Sequence, residues 1–287
     1  MSIKPRIKVS TLLPSKAGVS ISRPDGRNPL RCWSSIAACT VPSTSGIGLG
    51  IAQILASHGA DIVLNGFGNA EGIEAVRADI SRKHGVRVNY DGADMSKPPT
   101  VRGLIETMVG KLGSIDILVN NAGIQFTAPV EAFPAEKWDA ILAINLSAAF
   151  HAIAAAVTHM RKRGWGRIVD IASTHGLVGS VHKAAYVAAK HGLVGLTKVV
   201  ALETAGSGKT VNAVCPDWVR TPLVEKQIAD IAAEKRISQE DATNELLGGK
   251  QPSRTSVTPE QLGSTVAFLC SPAADQITGT AIAVDGA

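Results

Sequence analysis

From Ile36 onward the chain alternates short runs of β-branched and aliphatic residues with longer amphipathic stretches, and this alternation limits the fold more than any motif does. Strand-length runs separated by helix-length stretches describe βα units, which assemble as a parallel sheet covered by helices on both faces. Seven runs read as strands: Ile36–Val41, Asp61–Asn65, Val86–Tyr90, Ile115–Val119, Arg167–Ile171, Val211–Val214 and Ala281–Val284. Helical periodicity covers residues 47–58, 70–84, 97–112, 136–163, 184–205 and 259–270. Right-handed crossovers between such strands predict a Rossmann-type, doubly wound α/β sheet whose ligands lie beyond the carboxyl ends of the strands. Residues 217–256 break the rhythm, with helical patterns at 222–234 and 239–247 and no strand. Helices inserted after a strand end are expected to form a helical substrate lid.

A chain of 287 residues with 45% hydrophobic content can bury one large core. The alternation leaves no gap that would separate a second core, so residues 36–287 are expected to form a single catalytic domain. The formal charge of +5 is unevenly spread: residues 1–31 hold seven Lys or Arg against Asp25, and the remainder is nearly neutral. No basic stripe suited to nucleic acid runs along the body. Residues 1–35 are rich in Ser, Gly and Pro, with Pro5, Pro14, Pro24 and Pro29, which predicts an extension without regular structure. An organelle transit peptide is the alternative, since such segments are basic and poor in acids, although the prolines oppose the amphipathic helix it requires. No apolar run approaches the roughly 18 residues of a membrane span, and no signal-peptide core is visible. Cys32, Cys39, Cys215 and Cys270 are scattered without a C-x-x-C pair, so neither a disulfide framework nor a metal site is indicated and a reducing, cytoplasmic setting is expected.

Several strand ends carry residues with chemistry. Ser43-Thr44-Ser45-Gly46-Ile47-Gly48 follows the first strand and opens a helix, the setting in which backbone N–H groups and a positive helix end receive a pyrophosphate. Such a turn also exists without any nucleotide. After the second strand, Asn65-Gly66-Phe67-Gly68 offers neither an acid for a ribose nor a cation for a 2′-phosphate; the missing cation leans towards NAD over NADP. Phe67 is either a face for adenosine or a core residue. Asp94 after the third strand reads as a cofactor contact or as a helix N-cap.

The fifth strand leads to Ser173, and Tyr186 and Lys190 follow at i,i+4 on one helix face. Oxidation of a secondary alcohol needs a base for the hydroxyl proton while a hydride leaves carbon. Tyrosine titrates near 10, so an adjacent ammonium and a cationic nicotinamide must lower it by about three units, or roughly 4 kcal/mol. Taken alone, the pair is equally a chance arrangement on a solvated helix. Lys183, His175, Gln125 and Gln227 together suit a small carboxylate, although singly each reads as a solvated or loop residue.

In order and spacing these motifs resemble the short-chain dehydrogenase/reductase family, whose Thr-Gly-x-x-x-Gly-x-Gly turn aligns with Val41 to Gly48 and whose Asn-Asn-Ala-Gly motif aligns with Asn120 to Gly123. Four stretches, 120–125, 173–178, 183–192 and 218–227, are similar to bacterial-type D-3-hydroxybutyrate dehydrogenases, a likeness extending over residues 43–286. The resemblance implies a tetrad of Asn145 for a water-mediated proton relay, Ser173 to polarise the substrate oxygen, Tyr186 as acid/base, and Lys190. It implies NAD held by Thr44, Ser45, Gly46, Ile47, Gly48 and Phe67 at the adenosine and phosphate end. Asp94, Met95, Asn121 and Gly123 would extend that site, and Tyr186, Lys190, Pro216, Val219 and Thr221 would lie at the nicotinamide end. Gln125, His175, Lys183, Trp218 and Gln227 would bind the substrate, Gln227 arriving with the lid. The implied reaction is (R)-3-hydroxybutyrate plus NAD to acetoacetate plus NADH in a homotetramer.

The sequence departs from the family at identifiable points: Val41 stands for Thr, Pro42 for the first Gly and Asp217 for a Gly, and residues 1–41 match nothing in it. Proline has a fixed φ and no N–H, so strain is expected at Pro42, with weakened cofactor binding. The alternatives are a dehydrogenase of another small hydroxy acid and a catalytically impaired scaffold.

Overall fold

Strand runs buried on both faces carry no alternation, and β-branched and aliphatic residues predominate in the central strands for that reason. A computed structural model describes Trp33 and residues 35–248 and 251–286; the expected N-terminal extension, apart from Trp33 and Ser35, lies outside the described residues. Seven parallel strands form one sheet: β1 Ala37–Val41, β2 Asp61–Asn65, β3 Val88–Asp91, β4 Ile117–Asn120, β5 Gly166–Ile171, β6 Lys209–Pro216 and β7 Ala281–Val284. Their order, β3-β2-β1-β4-β5-β6-β7, reverses direction between β1 and β4, which opens a crevice at that switch point. The expected Rossmann-type doubly wound sheet is the fold observed. β6 runs longer than its apolar stretch predicts because Lys209 and Thr210 continue the ladder with Gly166 and Arg167 of β5.

The helices are α1 Gly46–Ser57, α2 Ala70–His84, α3 Pro98–Leu112, α4 Ala135–Leu142, α5 Ala148–Arg163, α6 Ala184–Thr204, α7 Pro222–Lys235, α8 Gln239–Leu247 and α9 Pro259–Cys270. On one face, α3 and α5 bury Val101, Leu104, Ile105, Met108, Ala152 and Ile153 against Val41, Val63 and Leu118 of the sheet. Each such large side chain, withdrawn from water, contributes about 1.5–3 kcal/mol. Two helical stretches, Ala135–Arg163 and Ala184–Thr204, are long and apolar enough by length and composition to cross a membrane, contrary to the sequence expectation. One side of each packs in the core, through Ala152, Ile153 and Ala156 on α5 and Leu193, Val194 and Val200 on α6, while Phe150, Val199 and Leu202 stay exposed.

One long helix is expected over 136–163, but the chain forms α4, one wider turn of π type at Ala143–Ser147, and then α5. Such a turn inserts an extra residue into the helix and re-aims a side chain, a device common at functional sites. Here it directs Asn145 inward.

The α7–α8 pair has a small core of its own, Val224, Ile228 and Ala242, with Trp218 and Ile231 packed against it. A parallel bridge between Val219 and Val257 joins the ends of the segment.

Candidate active site

Register alone brings several of the polar side chains together. Asn120 pairs with Asp170 across β4 and β5, and Val41 pairs with Asn120 across β1 and β4. The β1–α1 turn, the Asn120–Gly123 loop and the segment after β5 therefore lie side by side at the carboxyl end of the sheet.

In the β1–α1 turn, the left-handed backbone falls on Gly46, at φ 55°, and not on Pro42. Pro42 is not among the positive-φ residues, and the Val41–Pro42 peptide bond is cis. The proline carbonyl is used: Asn121 Nδ2 donates to Pro42 O at 2.9 Å, and Asn121 N donates to Val41 O at 2.6 Å. A Cβ on Gly48 would sit 1.9 Å from Pro42 O and 2.8 Å from Asn121 Nδ2, a closeness only glycine permits. Ser45 caps α1 without a side-chain hydrogen bond, and no acid occupies the first turn. The helix end is therefore left for an anionic group, and Thr221, the N-cap of α7, lies against Gly46.

The turn after β2 is built around Asn65, which donates to Asp91 O and Ala93 O at 2.9 and 3.0 Å. Gly66 adopts φ 148°, and a Cβ there would meet Thr44 Oγ1 at 2.5 Å. Phe67 is 72% exposed, so it is not the core residue its alternative reading proposed. With Thr44, Ser45, Gly68, Asn69, Gly72 and Ile73 it lines a cavity of about 240 Å³ that contains no Lys or Arg. Asp94 faces solvent and accepts hydrogen bonds from Ser96 N and Oγ, which with Lys97 hold its carboxyl below the usual range. The Met95 side chain belongs to the apolar core.

Beyond β5 the remaining expected residues gather. Ser173 Oγ lies 3.4 Å from His175 Nδ1 and accepts from His175 N at 3.1 Å. The Tyr186 and His175 rings meet edge to face with centroids 6.0 Å apart. Lys190 is 3% exposed, donates through Nζ to Ile171 O at 2.8 Å, and stands 5.7 Å from the centre of the Tyr186 ring. Asn145, also buried, clamps the Ile124 peptide from both sides: Ile124 N donates to its Oδ1 at 2.8 Å and its Nδ2 donates to Ile124 O at 2.9 Å. Burial raises the Tyr186 phenol, a hydrogen bond with Ser173 lowers it, and the Asp217 charge raises it. Burial pushes the Lys190 ammonium down to about 8, against the opposing pull of Asp170 and Cys215.

The five expected substrate residues do not all converge. His175 and Lys183 both lie within electrostatic reach of Asp217 beside Ser173 and Tyr186. Gln125 and Gln227 are exposed and make no hydrogen bond among the described residues, while Trp218 packs against the α7–α8 core. Pro216 is buried at the end of β6 and Val219 is buried at the bridge to Val257.

Sequence reasoning missed a buried network beneath these groups. Asp170 accepts from Asn120 Nδ2 at 2.8 Å and from Thr197 Oγ1 at 2.7 Å. Burial pushes its carboxyl up to about 6, with these two bonds and the Lys190 charge acting the other way. A lone acid inside an apolar strand, Ile168-Val169-Asp170-Ile171, is the signal that was available.

Comparison with known proteins follows the same outline. Residues 41–286 match the sequence profile of a family described as enoyl-(acyl carrier protein) reductase. Over 250 residues the chain is 53% identical to the D-beta-hydroxybutyrate dehydrogenase of Cupriavidus necator, covering 87% of this chain and 96% of that protein. It is 51% identical over 244 residues to the D-beta-hydroxybutyrate dehydrogenase of Rhizobium meliloti, covering 85% and 95%. Among solved structures, L-sorbose reductase from Gluconobacter frateurii, complexed with NADPH and L-sorbose, is similar with a TM-score of 0.84 at 29% identity, covering 88% of this chain and 96% of that one.

Proposed function

The chain belongs to the short-chain dehydrogenase/reductase family, and we propose that it interconverts (R)-3-hydroxybutyrate and acetoacetate with NAD. The observation that supports this most directly is the convergence of Ser173, His175 and Tyr186 beside a buried Lys190 ammonium, with Lys183 within reach. NAD fits the cradle formed by the β1–α1 turn and Thr221, a turn held in shape by the close approach of Gly48 to Pro42 O. A cavity beyond β2 without a cation favours NAD over a cofactor bearing a 2′-phosphate.

Bound nicotinamide supplies a hydride acceptor for the substrate carbon. Tyr186 takes the hydroxyl proton in oxidation and returns it in reduction. Ser173 orients the reacting oxygen through the hydroxyl that it shares with Tyr186 and His175. Lys190, fixed by Ile171 O, adds positive charge near the phenol and favours its ionised form, which burial alone disfavours. Asn145 holds the Ile124 peptide and so fixes the loop that borders Lys190; a water-mediated relay from Lys190 remains part of the proposal. Lys183, His175 and Gln125 meet the substrate carboxylate, and closure of the α7–α8 lid brings Gln227 into contact with it. A homotetramer is included in the reading, in keeping with exposed Phe150 on α5 and Val199 and Leu202 on α6.

Purified protein mixed with (R)-3-hydroxybutyrate and NAD is expected to generate NADH absorbance. Tyr186→Phe is expected to lower kcat by at least about a hundredfold while NADH binding is retained. Turnover of the variant within tenfold of the unmodified protein would remove Tyr186 from the mechanism.

A further inference from the structure

Asp217 follows β6, and its N–H donates to Val284 O of β7. Thr174 Oγ1 donates to Asp217 Oδ1 at 3.2 Å, which fixes the carboxylate over the turn that also carries His175. The charged and titratable groups facing it come from three further elements. His175 lies in the turn after β5, Lys183 and Tyr186 stand at the start of α6, and Asp285 lies just past β7. Two of these, His175 and Lys183, are the groups that the proposed function assigns to the substrate carboxylate. A carboxylate held by Thr174 therefore already lies within electrostatic reach of both groups, and the second acid, Asp285, adds to the negative side of the balance.

Resting on that proposed function, we infer that Asp217 is a specificity-determining residue that weakens capture of a carboxylate and widens the pocket's acceptance of neutral 3-hydroxy compounds. Asp217 draws on the same Lys183 charge as an incoming carboxylate and repels that carboxylate directly. A substrate whose far end is an ester or amide escapes both effects. One like charge beside a partly buried ligand is worth on the order of tenfold in binding at the effective dielectric of such sites.

The test compares (R)-3-hydroxybutyrate with its methyl ester in the full-length protein, Asp217→Asn and Asp217→Glu. The amide keeps the size and the acceptor for Thr174 but not the charge; the glutamate keeps the charge. Expected is an acid-to-ester ratio of kcat/KM that rises about tenfold in Asp217→Asn and stays within about threefold of the unmodified protein in Asp217→Glu. A ratio unchanged within twofold in Asp217→Asn, or raised equally in both variants, overturns the role given to Asp217. Calorimetric binding of acetoacetate and methyl acetoacetate to the protein with NADH is measured alongside, because it does not depend on turnover. If no variant oxidises the acid, the functional reading falls. The binding ratio still decides for or against Asp217.

Discussion

Asp170→Asn tests whether an ionisable carboxylate is held in the core beneath Lys190. The change is isosteric and the hydrogen bonds can be rebuilt: the new amide oxygen accepts from Asn120, the amide nitrogen donates to Thr197 Oγ1, and the threonine hydroxyl turns its one hydrogen to Leu193 O. What disappears is a titration, because the carboxyl is raised from 3.8 to about 6 by burial. A raised acid contributes stability that is fully present below the unfolded value and is lost as pH rises through about 6. The full span is on the order of 3 kcal/mol, of which roughly 1 kcal/mol falls between pH 7 and pH 5. Urea unfolding of both proteins at these two pH values reads the effect of the carboxylate together with the shift its loss causes in Lys190. The unmodified protein is expected to gain roughly 1 kcal/mol more than Asp170→Asn on going to pH 5. Equal pH dependence in the two proteins would refute the burial of a titrating carboxylate at this position.

Two further outcomes follow from the cofactor cradle. Gly48→Ala forces a Cβ to within 1.9 Å of a backbone oxygen, so the turn must shift; NADH affinity, read by fluorescence titration, is expected to fall at least about tenfold, with about 1–3 kcal/mol of stability lost in a urea melt. Wild-type affinity in this variant would show that the turn does not hold the cofactor. Gly68→Arg adds a cation at the cavity beyond β2, where a Cβ meets only ordinary contact with Ile73 at 3.6 Å; use of NADP relative to NAD is expected to rise at least about tenfold in kcat/KM. No change in that ratio would separate the cavity from cofactor choice.

Residues that act through local pattern were legible in advance. The strand runs and helical periods predicted all seven strands, because burial on both faces of a parallel sheet leaves a continuous apolar run that needs no tertiary knowledge to see. Tyr186 and Lys190 were legible as a pair because four residues make roughly one helical turn. Asn145 was legible as a residue but not as a geometry, since a π turn has no periodicity of its own and is decided by the contact its side chain makes with the Ile124 peptide. Phe67 was ambiguous until its exposure was known, because an aromatic residue after a strand suits a core as well as a ligand face. Pro42 was read as a strain because its family position suits glycine, yet the left-handed residue in this turn is Gly46.

Sequence by itself determined the order of elements, the sheet they form and the placing of Tyr186 and Lys190 on one helix face, all of which depend on spacing along one chain. Only the tertiary structure decided the charges around that pair. Asp170 meets Asn120 through strand register, and Asp217 comes within electrostatic reach of His175 and Lys183 across three elements. Electrostatic energy depends on distance through space and on exclusion of water, and neither quantity is written in the spacing of residues.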